Sequence, residues 1–198
     1  ERPGGESAAG REDEACQLTL HAPVDALEWK VATGMPRLTG QPHSWGTFEA
    51  ENYDALIDYP FLMGDLVIEE FIAHGIKHSL VLSGRHFADT SKICADLARI
   101  CETQISMFGE APFKSYTFLT MVVGEGFGGL EHRNSTALLC SRKSLIGEHD
   151  HGINEDYQTF LSLCCHEYFH SWNVKTLKPK AFIPYQLDKD NLLQLPEH

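Results

Sequence analysis

The chain has 198 residues, of which 42% are hydrophobic and 22% charged, with a formal net charge of −12. Such ordinary globular composition argues against disordered and fibrous classes, and the charge argues against nucleic acid or an anionic membrane surface as partner. No stretch approaches the roughly 20 apolar residues that span a bilayer, and the length suits one large domain or a small one with part of another.

The first fifteen residues, rich in Glu, Gly and Ala, read as a polar tail without the apolar core of a secretory signal. Over 16–64, short apolar runs at 18–21, 27–31 and 45–48 are broken by Pro, Gly and Asn, the pattern of a β-rich region. Residues 66–72 and 79–82 read as strands around a His74-Gly75 turn, and a domain boundary is placed near Gly64, with 65–198 beyond it. The period then becomes helical. Ile93, Cys94, Leu97, Ile100, Cys101, Ile105 and Phe108 share one face, with Thr90 or Ser91 as cap and Gly109 and Pro112 as stop. A strand is expected at 116–123, a glycine-rich turn at 124–129, a strand at 136–140 and a polar loop at 144–156. Asn154 caps the next helix, with Glu155 and Asp156 in its first turn, where the helix dipole favours anions.

That helix carries His166-Glu-x-x-His170. Imidazoles four apart lie on one helical face, one turn from each other, so both can bind one tetrahedral ion. Glu167 can then reach a water held by that ion and act as its general base. The same residues also fit an amphipathic helix with two polar histidines, packed by Leu161, Cys164, Tyr168 and Phe169. A second polar group, Glu148-His149-Asp150-His151, reads more simply as a solvated loop than as a metal site. The pair Gly128-Gly129 permits close approach of another backbone, and Glu131 just after it could hold a cation; a β-turn with an exposed bend fits equally.

Six cysteines (Cys16, Cys94, Cys101, Cys140, Cys164, Cys165) form no Cys-x-x-Cys pair and no disulfide framework. Cys94 and Cys101 fall on an apolar helical face, and Cys164 and Cys165 point away from the face of His166 and His170. Reduced thiols favour the cytoplasm, with a periplasmic or secreted protein as the alternative if the chain is cut from something longer.

Three segments carry a resemblance: Tyr53-Asp-Ala-Leu-Ile-Asp-Tyr-Pro60, Gly-Gly-Leu-Glu-His-Arg-Asn-Ser at 128–135, and His166-Glu-Tyr-Phe-His-Ser-Trp-Asn-Val-Lys175. In order and spacing they resemble the glycyl aminopeptidase family of gluzincin zinc metallopeptidases, distant relatives of aminopeptidase N. The resemblance implies an α+β architecture, with the end of a β-rich N-terminal domain followed by the first part of a thermolysin-like catalytic domain. It implies Zn2+ on His166 and His170, and Glu167 as general base. Gly128, Gly129, Glu131 and His132 would bind substrate on the edge strand of the cleft, Glu131 taking the free α-amino group of a peptide. Glycine or another small residue would be removed from the N-terminus. The family's third zinc ligand is a Glu in a Trp-x-x-Glu-Gly segment. Glu197 lies in the approximate place but follows Pro196 and lacks the glycine. Tyr168 and Tyr185 do not match the family's oxyanion-stabilising tyrosine. The chain therefore reads as a fragment with little or no peptidase activity alone, with Leu161, Leu163 and Phe169 exposed. The competing reading is a non-catalytic metal- or peptide-binding remnant of the same ancestry.

Overall fold

The structure, a computed structural model, describes residues 10–147, 149–150 and 152–177. Its architecture is α+β, with a β-rich N-terminal region leading into a five-stranded sheet that carries two long helices.

In the first region β1 (Cys16–Leu20) pairs antiparallel with β3 (Gly46–Ala50), and β2 (Lys30–Thr33) with β4 (Phe61–Gly64). Val31, Met35, Phe48 and Ala50 make a small core, closed by Ala55 of the short helix α1 (Tyr53–Ile57). Asn52 caps α1 by accepting the Ala55 N–H at 2.8 Å. The apolar runs do not predict β4; three apolar residues after a proline take strand form here by pairing with β2. Nor are residues 10–15 merely a tail, because the Tyr53 N–H donates to the Glu12 carbonyl at 3.0 Å and ties this stretch to α1.

The main sheet begins with a hairpin, β5 (Leu66–Ala73) and β6 (Ile76–Ser83). Its two-residue turn, His74-Gly75, has φ of 51° and 74°, the mirror-image turn that matches strand twist. Parallel to β6 run β7 (Ser115–Val123) and β9 (Ser135–Ser141), and β8 (Phe127–Glu131) pairs antiparallel with β9. The order is β5-β6-β7-β9-β8, so β8 is an edge. Strands β6 and β7 are apolar on both faces because both are covered. Leu80, Leu82, Tyr116 and Phe118 join the core beneath the helices, whereas Val81 and Leu119 pack with Ala32 and Leu66 on the other side.

Helix α2 (Thr90–Phe108) connects β6 to β7 and buries Ile93, Leu97, Cys101 and Ile105. Its cap is Asp89, which accepts the Lys92 N–H at 3.0 Å. Thr90 and Ser91, the residues expected from the sequence, are already helical. Gly109 ends the helix at φ 87°, in the left-handed region that glycine adopts without strain. After β9 comes a 3₁₀ turn, Arg142–Ser144. The expected polar loop then starts with two core residues, Leu145 and Ile146. Helix α3 (Glu155–Phe169) follows and packs against α2, β8 and β9. Among the described residues no helix is long and apolar enough to cross a membrane.

Candidate functional site

Asn154 caps α3 by accepting the Tyr157 N–H at 2.8 Å, with Glu155 and Asp156 in the first turn. Tyr157, Phe160, Cys164 and Tyr168 turn inward and are fully buried. A buried polar pair fixes the depth of this face. His78 must donate from Nδ1 to the Ile76 carbonyl (2.9 Å), which leaves Nε2 to accept from the Tyr168 hydroxyl at 2.8 Å. Burial lowers the pKa of His78 and keeps it neutral. Just past the helix, Trp172 stacks on Phe108 with centroids 4.8 Å apart and donates to the Glu110 carbonyl at 2.8 Å.

The other face presents the chemistry. His166 and His170 bring their Nε2 atoms to 3.1 Å from each other. The Nδ1 of His170 lies 3.2 Å from the Asn173 carbonyl, toward which it can only donate, so its lone pair is on Nε2. Between the two histidines, Glu167 is buried, and among the described residues its Oε2 has no hydrogen-bond partner. Burial, reinforced by the Glu131 carboxylate, raises the Glu167 pKa against the opposing pull of His170 and His132.

Strand β8 forms the opposite wall. Residues 127–129, a turn by local pattern and part of the cleft's edge strand by the resemblance, are strand, paired antiparallel with β9. A Cβ at Gly129 would collide with the carboxylate and Cγ of Glu167, so only glycine lets the helix and strand approach this closely. With the two-residue period of a strand, Gly129 and Glu131 share a face, and Gly128 and Leu130 share the other. Gly128 meets open space. His132, next after the strand, is buried with Nδ1 3.5 Å from Oδ1 of Asp58.

The turn after α3 is tight. Lys175 N–H donates to the His170 carbonyl (3.1 Å), Leu177 N–H to that of Trp172 (2.8 Å), and Val174 has φ of 90°. A β-branched residue in that region costs about 1–3 kcal/mol and persists only where its surroundings hold it. Sequence reasoning missed Asp58, Asn173 and His78, whose roles depend on partners far along the chain or on backbone atoms.

The thiols lie elsewhere. Cys94, Cys101, Cys140 and Cys164 are buried in the core, where loss of solvation raises their pKa values. Cys165 faces Gln104, whose amide donates to its carbonyl at 2.8 Å. Leu163 is buried and Leu161 and Phe169 half-buried, contrary to the expected exposure. In the loop before α3, Asp150 accepts the Gly147 N–H at 2.7 Å; Glu148 and His151 lie outside the described residues, as do Tyr185 and Glu197. Among the described residues no third His, Cys, Asp or Glu completes a metal cluster with the two histidines. The donor pair itself suits zinc: two imidazoles on one face, one with its lone pair set by a carbonyl, beside an unpartnered carboxylate.

Two family models match this chain, the Peptidase M61 N-terminal domain over residues 7–65 and M61 glycyl aminopeptidase over residues 159–195. A crystal structure of an aminopeptidase N family protein from Idiomarina loihiensis shares 79% sequence identity and covers 91% of this chain, with a TM-score of 0.90. The chain belongs to the M61 glycyl aminopeptidase family. It spans 31% of that relative's length. A two-domain M1 zinc metallopeptidase bound to L-arginine is 12% identical, covering 80% of this chain and 33% of its own, at a TM-score of 0.48. Among curated proteins nothing matches. The M61 N-terminal model thus takes in β1 to β4, and the M61 catalytic model takes in the part of α3 that carries the histidines.

Proposed function

We propose that this chain supplies the zinc-binding helix and the substrate-amine wall of an aminopeptidase that removes N-terminal glycine or another small residue from peptides. The observation that carries the reading is the convergence of the two imidazole Nε2 atoms, 3.1 Å apart, beside the buried Glu167, whose Oε2 has no partner among the described residues. Membership of a metallopeptidase family supports it. Zinc, when bound by His166 and His170, supplies a Lewis acid that polarises a carbonyl and lowers the pKa of water.

The chain's own residues do the rest. Glu167 takes a proton from the attacking water and passes it to the departing amine; its raised pKa brings it nearer the working pH of a general base. Glu131, on the same strand face as Gly129, holds the ammonium of the substrate's first residue, which sets the cut one residue in. An ion pair of that kind is stronger in a cleft of low dielectric than in water. Gly129 leaves the room that Glu167 needs.

The test has two arms. Replacing His166 or His170 by Ala should lower zinc content sharply by elemental analysis, and full occupancy in both variants would sink the ligand assignment. Glu131→Ala should impair free-amino substrates far more than their N-acetylated forms; equal losses would leave Glu131 only a strand residue.

A further inference from the structure

Asp58, which caps the end of α1, has three side chains and a backbone amide converging on it. The Arg133 N–H donates to Oδ2 at 2.9 Å and Lys175 Nζ to Oδ1 at 2.9 Å. His132 Nδ1 stands 3.5 Å from Oδ1 and Arg133 Nε 3.7 Å from Oδ2. The carboxylate is only 13% exposed, so its charge-assisted bonds from Lys175 and the Arg133 amide are little weakened by solvent.

The partners come from both walls of the cleft. His132 and Arg133 continue directly from Glu131 at the end of β8. Lys175 belongs to the turn in which the Asn173 carbonyl sets the ring of His170 and Val174 is held in a strained conformation. Among the described residues no backbone hydrogen bond joins the two walls here. Arg133 adds contacts to Asp54 and to Glu51 (3.6 Å), so the strand end is fastened to α1 as a whole.

We propose that Asp58 is a positioning residue, whose single carboxylate ties the Glu131 end of β8 and the His170–Lys175 turn to one point and so sets the spacing between the amine-binding and metal-binding groups. The proposal rests on the functional reading above. Outer partners of metal ligands typically contribute about 10–100-fold to metal affinity.

The experiment compares wild type, Asp58→Asn, Asp58→Ala and Lys175→Met by zinc affinity (chelator competition) and by amide exchange. Asp58→Asn keeps an acceptor for the Arg133 amide but loses the charge, so it remains informative if Asp58→Ala fails to fold. Expected for Asp58→Asn is zinc affinity lower by roughly tenfold, with exchange accelerated together at His132 and Lys175. Lys175→Met should weaken zinc and loosen Lys175 while His132 stays protected. Unchanged zinc affinity in Asp58→Asn, or loosening of one segment alone, overturns the proposal. Acceleration spread evenly through β6 and β7 also overturns it, since that marks a merely structural residue. If wild type takes up no zinc, the functional reading fails and exchange alone decides: joint loosening supports the tie, and unchanged protection overturns it.

Discussion

Toward the sheet, α3 presents Tyr157, Phe160, Cys164 and Tyr168, each fully buried, with Tyr157 against Phe160 and Tyr168 among the rings of Tyr116, Phe118 and Trp172. Toward β8 the same helix presents His166, Glu167 and His170, with a carboxylate oxygen that no group among the described residues satisfies. The inner face lowers the free energy of folding; the outer face raises it, because a buried polar atom without a partner is costly. Such a division lets a rigid base hold reactive groups in positions that they would not keep by themselves.

The comparison predicts that changes on the two faces separate into stability and turnover. The largest effect belongs to the inner face. Phe160→Ala should cost about 3–5 kcal/mol in urea unfolding, the range for deleting a fully buried ring. A cost below about 1 kcal/mol would mean that the base is not rigid. On the outer face, Glu167→Gln should lower turnover of a glycyl anilide in active protein by about a hundredfold, or about 2.7 kcal/mol of barrier. Its unfolding free energy should equal or exceed that of wild type, since the change removes a buried unpaired charge.

Next in size is acid sensitivity. Burial alone would raise the Asp58 pKa, but His132, Lys175 and the Arg133 amide outweigh it and bring it from 3.8 to about 2. A lowered carboxylate pKa adds stability above the unfolded value that is lost as pH falls through the folded one. Wild type should therefore exceed Asp58→Asn by about 2 kcal/mol more at pH 6 than at pH 2. A constant difference across that window would mean that Asp58 gains nothing from its charge.

The smallest effect tests the join between the faces. Tyr168→Phe leaves His78 Nε2 without its donor, at a cost of about 1–2 kcal/mol. Zinc affinity should stay within about twofold, well short of the tenfold or more that loss of an outer ligand partner brings. A larger fall would show that the inner face reaches the outer one.

Much of α3 was legible because its signals are local: a cap at Asn154, acidic residues in the first turn, histidines four apart. The hairpin at His74-Gly75 was legible for the same reason, with its turn lying between two β-prone runs. Asp89 was missed as cap of α2 because three successive residues could cap, and only the direction of the Lys92 N–H chooses among them. Gly128-Gly129 reads as a turn in isolation. Its place in a strand comes from pairing with Leu138 and Leu139 of β9, which local propensity cannot see. The role of Asp58 was invisible for the same reason, since its partners Arg133 and Lys175 are 75 and 117 positions away.

Those separations bear on how the site comes into being during synthesis. A ribosome adds roughly 5–20 residues per second, so several seconds pass between the emergence of Asp58 and that of Lys175. Over that interval α1 and the hairpin of β5 and β6, built on near contacts, can form. The Asp58 carboxylate emerges first, and its contacts with Arg133 and Lys175 form only once those residues follow. An unfinished chain that ends before Lys175 therefore carries His166 and His170 without the contact between Lys175 and Asp58.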